Sequence, residues 1–364
     1  MREDIHLIGI IGAGTMGSGI MINCVSHGFN VVLCDKDSKV LGNAKGRLDT
    51  YLTRQVEKGR MTSGDAKRTS ARLTCVENVG ALHNCDLVIE AVFEKLDLKK
   101  MIFAELEGVV QRNAVLASNT SCLLLADIAD ALEHQDRFCG MHYFSPAEIN
   151  PIVELIEGPS TSQDVLSTAA SFLNRTGKHA IPCKDQYGFA LNRFFCPYSN
   201  EAVRLLDEGF GTCGQIDEVA MDTFGVAIGP FAVMNIIGTA TTLHAVRNLE
   251  PLGPFYAAAK GLIANGADNT AWKLEEAPEA PDANLAKSIA DRLTGAILLP
   301  VLEQLKEGCT SLDAIDRGAE MAFRFRKTPG ILMKERGEEG VQRLIAKLAA
   351  QYRHDPTYVP AALA

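Results

Sequence analysis

Short apolar runs rich in β-branched residues recur from residue 6 to about residue 184: LIGII, VVLCD, LTCV, DLVIEAV, AVLASNT, FCGMHYF, IVELIE and HAIPC. Runs of that length bounded by turn residues predict strands, and amphipathic stretches such as KLDLKKMIFAELEGVV between most of them predict helices. Strand and helix in alternation build an α/β fold, a Rossmann-type doubly wound parallel sheet with helices on both faces. After KDQYGF the strand character ends and long helical patterns take over, which sets a boundary near residue 185.

The helical part repeats itself at a spacing of about a hundred residues. Arg193 pairs with Arg292, Leu206 with Leu305, Glu208 and Gly209 with Glu307 and Gly308, and Ile216 and Asp217 with Ile315 and Asp316. Ala220 with Ala319, Phe224 with Phe323 and Pro230 with Pro329 continue the same gapless register. The acidic, Pro-containing segment WKLEEAPEAPDAN between the copies reads as a linker. The expected organisation is a sheet domain over 1–185 followed by two tandem, related all-α domains, 186–283 and 284–364.

Composition narrows the function. With 47% hydrophobic and 22% charged residues the chain can bury full cores, and its formal net charge of -9 argues against a nucleic-acid partner, which would demand Lys and Arg for phosphates. The ten cysteines form no CxxC pair and no zinc-type spacing, so no metal is expected, and they sit among apolar residues as reduced thiols do in a cytoplasm. MREDIHLIGIIGAG reads as a first strand and not a signal peptide, and VAIGPFAVMNIIG is too short and broken to cross a bilayer, so no membrane role is expected.

The first strand runs into GIIGAGTMGSGI. Gly12 permits a tight turn, Gly14 lets the backbone approach a pyrophosphate, and Gly17 allows close helix–sheet packing below the N–H groups that face the phosphates. The second strand ends in Asp35, where a carboxylate accepts both ribose hydroxyls of an adenosine and repels a 2'-phosphate, favouring NAD over NADP. Lys36 beside it tempers that preference. Ligands of open parallel sheets bind beyond the carboxyl ends of the strands, and ASNTS puts Asn119 and Ser121 at one such end and FCGMHYF puts His142 at the next, with Glu154 in the adjoining strand.

On these motifs, with RFCGMHYFSP, VELIEG, GKHAIPCKD, GFALNR, IGPF and the tail DPTYVPAAL, the chain resembles the L-3-hydroxyacyl-CoA dehydrogenases, especially the dehydrogenase half of multifunctional fatty-acid oxidation proteins. The resemblance implies NAD-dependent oxidation of an L-3-hydroxyacyl-CoA to the 3-ketoacyl-CoA in acyl-CoA degradation. It assigns Ser121, His142, Glu154 and Asn192 to catalysis, Met16, Asp35, Glu90, Lys95 and Ser145 to NAD, and Lys58 to a CoA phosphate. His142 would take the hydroxyl proton, Glu154 would fix its tautomer, and Ser121 and Asn192 would polarise the oxygen. Plainer readings stand beside these: Ser121 as a helix cap, Asn192 as a helix start, Lys58 on a solvated face, and Glu90 as a strand end.

The sequence departs from the family pattern at Ser145 (Asn in some members), at Asn150 and Pro151 (Met, often then Lys), at Tyr187 (Pro), at Asn235 (Asp) and at Thr239 and Ala240 (Leu-Asp). These departures suggest an acyl group that is branched, cyclic or aromatic. The second copy reads RFRKTPGILM where a GPF-like segment would recur. Short members dimerise through their single helical domain, so a tandem copy implies either a monomer with an internal pseudo-dimer or a homodimer. No hydratase-like domain precedes the glycine motif, so hydration of enoyl-CoA is not expected. Two other functions remain open: a dehydrogenase of a free 3-hydroxy acid, and a catalytically silent NAD-binding protein.

Overall fold

The computed structural model describes residues 5–355; the tail motif DPTYVPAAL, apart from Asp355, lies outside the described residues. The chain divides into two compact units, Met1–Asp185 and Gln186–Ala364.

The first unit is built on eight strands in the order read from the sequence: β1 (Leu7–Ile11), β2 (Asn30–Cys34), β3 (Leu73–Val76), β4 (Leu87–Glu90), β5 (Val115–Ser118), β6 (Phe138–Tyr143), β7 (Ile152–Glu157) and β8 (His179–Lys184). They form one sheet, β3-β2-β1-β4-β5-β6-β7-β8. The first six run parallel, joined through Ile11 opposite Cys34, Ile11 opposite Glu90 and Ser118 opposite Gly140. The sheet is mostly parallel, with one reversal: β7 runs antiparallel to β6 and carries β8 parallel to itself. The reason is loop length: residues 144–151 are too few for the crossover of about a dozen or more residues that a parallel return requires. That reversal brings the start of β7 against the end of β6 and sets Glu154 opposite His142.

Ile8, Ile10, Leu33, Leu87, Ile89, Ala117, Met141 and Val153 fill the centre of this unit, packed under Ile20, Met21 and Cys24 of the helix Thr15–Ser26. Each large side chain so buried contributes about 1.5–3 kcal/mol, which holds the strand ends, and the polar groups on them, in fixed positions. Nine of the ten cysteines are buried, and Cys75 is exposed.

The second unit is helical, with two runs of three helices, and the second and third helices of each run start in the register paired in the sequence. Asn192–Asp207, Cys213–Phe224 and Pro230–Ile237 are followed by Ala283–Glu307, Leu312–Phe323 and Pro329–Tyr352. Asp217 accepts the N–H groups of Phe231 and Ala232 at 2.8 and 3.0 Å, and its counterpart Asp316 accepts that of Gly330 at 2.8 Å. The copies also grip each other reciprocally: Arg193 donates a fork to Glu307, and the equivalent Arg292 donates a fork to the equivalent Glu208. Residue i meeting j while the copy of i meets the copy of j is how a twofold interface closes on itself. The segment expected to be a linker has no regular structure over 271–282, yet it is pinned. Trp272 is buried against Phe231 with ring centroids 5.1 Å apart, and Glu275 accepts the Gly214 N–H at 2.8 Å.

Candidate active site

The glycine loop has a different requirement at each position. A Cβ on Gly12, whose φ is 96°, would lie 2.6 Å from the Ala91 carbonyl oxygen, and one on Gly17 would lie 1.8 Å from that of Gly12. At Gly14 a Cβ would meet nothing within 4 Å, so the missing side chain there leaves open space and not a packing gap. Gly14 is the N-cap of Thr15–Ser26 and no side chain caps this helix, so its first N–H groups remain for an anion. Asp35, just past β2, accepts the N–H groups of Ala13 at 2.8 Å and Asp37 at 3.0 Å. A carboxylate has about four acceptor sites, and this half-exposed one keeps capacity for ribose hydroxyls. Met16 is half-buried in the first helical turn. This open cradle with its adjacent carboxylate fits a dinucleotide.

Every residue of β6 is buried, His142 included at 5% exposed, and Glu154 on β7 is 0% exposed. The imidazole Nδ1 lies 2.6 Å from Glu154 Oε2. An ionised carboxylate only accepts, so the proton sits on Nδ1 and the lone pair is left on Nε2, the tautomer of a base. The Phe144 ring stands 4.6 Å from the imidazole, centroid to centroid. Asn119, beyond β5, accepts the Tyr143 N–H at 2.8 Å and so ties the Ser121 segment to the end of the histidine strand.

Ser121 is held from the other side by a residue the sequence reading passed over. Glu94 Oε1 accepts the N–H groups of Ser121 at 2.8 Å and Cys122 at 3.0 Å, and it also accepts the Thr120 hydroxyl. Burial raises the Glu94 pKa, but Lys99, Thr120 and the Ser121 N–H outweigh that and hold it below the ordinary glutamate range. Lys99 lies 3.2 Å from Glu94 and 2.7 Å from Glu90. Glu90 is 0% exposed and accepts Lys99, Ser118 Oγ and the Val92 N–H, so its oxygens are engaged inside the fold. Lys95 is exposed at the N-cap of the helix Leu96–Val109. A signal for Lys99 was present: it occupies the apolar stripe of that helix with Ile102, Phe103 and Leu106, where a lysine needs a buried partner.

Of the other expected residues, Ser145 is exposed in the 144–151 loop and Lys58 is exposed at the C-cap of the helix Ser38–Glu57. Asn192, in the second unit, is half-buried and opens the helix Asn192–Asp207. The 144–151 loop is braced by Lys178, whose ammonium donates to the carbonyls of Ala147 and Asn150, both at 2.7 Å. Burial pushes that ammonium down to about 8.

Residues 7–186 match the model of the 3-hydroxyacyl-CoA dehydrogenase NAD-binding domain, and 188–271 match that of the family's C-terminal domain. A mitochondrial hydroxyacyl-coenzyme A dehydrogenase from Mus musculus is 35% identical over 256 residues, spanning 68% of this chain and 82% of that protein. The chain belongs to the 3-hydroxyacyl-CoA dehydrogenase family. It is an NAD-dependent oxidoreductase. The (S)-3-hydroxybutyryl-CoA dehydrogenase structure from Ralstonia eutropha is 33% identical, with a TM-score of 0.72 over 74% of this chain and 96% of that one. The Escherichia coli 3-hydroxybutyryl-CoA dehydrogenase structure is 22% identical but covers 98% of this chain and 97% of that one at a TM-score of 0.88, so the whole fold is shared. No helix among the described residues is long and apolar enough to cross a membrane.

Several departures from the family pattern have local structural reasons. Asn235 donates to the Trp272 carbonyl at 2.9 Å and accepts the Trp272 N–H at 2.7 Å, a reciprocal clamp that an aspartate, lacking a donor, cannot make. Thr239 donates within the 265–270 segment, and Asn269 accepts the Ala240 N–H at 3.1 Å. Asn150 accepts the Ile152 N–H at 3.2 Å and turns the chain into β7. These side chains fasten loops and the segment after residue 270.

Proposed function

We propose that this enzyme oxidises an L-3-hydroxyacyl-CoA to the 3-ketoacyl-CoA, reversibly, in fatty-acid or related acyl-CoA degradation. The observation that carries the reading is the buried His142–Glu154 pair, 2.6 Å apart at the end of β6. A buried pair can also serve packing alone; what favours catalysis here is that this one stands at the carboxyl end of β6, where an open parallel sheet binds its ligands, with the lone pair of the imidazole on Nε2.

Bound NAD supplies the hydride acceptor. Gly12, Gly14, Met16, Gly17 and Asp35 would hold it, with Glu90, Lys95 and Ser145 assigned to its surroundings by resemblance. Nε2 of His142 takes the hydroxyl proton, and Glu154 stabilises the imidazolium that results. Ser121, with its loop fixed by Glu94, donates to the oxygen as it becomes a carbonyl. Asn192 takes the same role by resemblance, as Lys58 takes the CoA phosphate. In the reverse direction His142 returns the proton.

The helical unit supports reading 186–283 and 284–364 as two copies whose Arg193–Glu307 and Arg292–Glu208 contacts are internal, and hence a monomer in preference to a homodimer. Cysteines buried singly among apolar side chains, with no CxxC pair, suit a reducing cytoplasm. The test is to follow NADH absorbance with acetoacetyl-CoA and, separately, with free acetoacetate. Turnover of the thioester alone is expected; turnover of the free acid alone would replace this reading with that of a hydroxy-acid dehydrogenase, and turnover of neither would leave an NAD-binding protein.

A further inference from the structure

We infer that Arg47 is a positioning residue for the cofactor: through Glu148 it clasps the loop that leaves the histidine strand to the first turn of the dinucleotide helix, before NAD arrives. The inference rests on the NAD site proposed above, and every residue it uses belongs to the sheet unit. Leu41, Ala44 and Leu48 form the buried face of the helix Ser38–Glu57, and Arg47 stands half-buried at the edge of that face. Its guanidinium spans two acceptors. Nη1 donates to the Thr15 carbonyl at 2.8 Å, and Nη2 donates to Glu148 Oε1 at 2.6 Å. Thr15 opens the helix whose first N–H groups face the pyrophosphate, and Glu148 lies in the 144–151 loop, 101 positions from Arg47.

The loop lies close on that helix. A Cβ on Gly19 would come 2.7 Å from Glu148 Oε2 and 3.1 Å from the Ala147 Cβ, so the approach depends on a residue without a side chain. Within the loop, the Pro146 carbonyl accepts the N–H groups of Ile149 and Asn150 at 2.9 and 2.8 Å, which closes 146–150 into one turn. Lys178 grips that turn through its carbonyls and Arg47 grips it through its carboxylate. The ion pair itself does little for global stability, since Arg47 is 33% exposed and Glu148 11%, and pairs open to water are weak. What it fixes is place. The loop begins two residues after His142 and carries Ser145, which the resemblance assigns to NAD. A loop that had to be ordered as the cofactor bound would subtract its ordering cost from the affinity, and a loop clasped beforehand does not.

The test compares wild type, Arg47→Met, Glu148→Ala and the double variant as whole enzymes. Hydrogen exchange of the Ile149 and Asn150 amides is followed without cofactor, NADH affinity is taken from fluorescence titration, and kcat is measured with acetoacetyl-CoA at saturating NADH. Each single variant is expected to speed exchange in the loop and not in β1, to weaken NADH by about tenfold, and to keep kcat within a small factor. Because the two side chains act as one clasp, the double variant should bind NADH no more weakly than Arg47→Met. A pair that served stability alone would lower the unfolding midpoint and leave NADH affinity where it was. That result, unchanged exchange in the loop, or additive losses in the double variant overturns the inference and leaves the dehydrogenase reading intact. The dehydrogenase reading fails separately, if wild type binds NADH and reduces no acetoacetyl-CoA, and exchange and titration then still decide the clasp.

Discussion

Among the described residues, two buried histidine–glutamate pairs have nearly the same length, and only one belongs to a candidate active site. His142 meets Glu154 through Nδ1 at 2.6 Å in the sheet unit, and His354 meets Glu303 through Nε2 at 2.7 Å in the helical unit. The imidazoles are 5% and 8% exposed, so burial does not separate them either. Their surroundings do. Glu303 also accepts the Tyr256 hydroxyl at 2.5 Å and lies 3.8 Å from Arg193, while Phe255 and Tyr256 crowd the His354 ring. That carboxylate is the hub of a charge-compensated cluster that fastens the end of the helix Pro329–Tyr352 to the rest of its unit. His142 instead stands at the carboxyl end of a parallel strand, on the edge of the sheet where the glycine loop, Asp35 and Ser121 also lie. A hydrogen-bonded pair sets a tautomer; its place in the fold decides whether that tautomer acts on anything.

The largest separation between the two pairs should come from Glu154→Gln, which leaves the imidazole in place but removes the charge that stabilises imidazolium; we expect kcat to fall by roughly 10²–10⁴, whereas Glu303→Gln should leave kcat within a small factor. Equal losses in the two variants would erase the distinction. Next, Glu94→Ala frees the Ser121 and Cys122 N–H groups, and a loss of about ten- to a hundredfold in kcat with NADH affinity little changed is expected from a displaced Ser121. In the helical unit, His354→Gln should show its effect in denaturant unfolding, as about 1–3 kcal/mol lost with activity kept. The smallest effect concerns pH. Burial lowers the Lys178 ammonium to about 8, beneath the ordinary lysine value, so at pH values between the two the unfolded chain binds more protons than the folded one. Stability contributed by this group is therefore missing below about pH 8 and gained as pH rises toward the ordinary value. Unfolding curves of Lys178→Met should lack the gain that wild type shows over that window.

All eight strands and the change to helix near residue 185 were readable from apolar runs, because strand length and turn residues depend on local sequence. The direction of β7 was not, because it depends on how far eight residues of loop can reach, and that is a property of the connection. The glycine motif and Asp35 were legible for a similar reason: each position answers to a steric or charge requirement within about twenty residues. Glu94 was passed over although it sits in the same short stretch as Glu90, since only the folded chain shows Glu90 accepting from Lys99 and Ser118 while Glu94 accepts from the Ser121 loop. Asn235 shows another limit of local pattern. Its backbone clamp on Trp272, a partner 37 positions away, is a contact that no periodicity reveals. The spacing of about a hundred residues pairs Arg193 with Arg292 and Glu208 with Glu307 in the sequence, but that each arginine donates to the other stretch's glutamate is seen only in the folded unit.

The most direct measurement is NADH consumption with acetoacetyl-CoA by wild type and by His142→Gln, with NADH binding to each measured by fluorescence titration. Removal of the base should leave the dinucleotide bound as before and slow turnover by roughly 10²–10⁴. A variant that turns over at the wild-type rate, or one that loses rate only because NADH no longer binds, would contradict the assignment of His142 as the group that takes the proton.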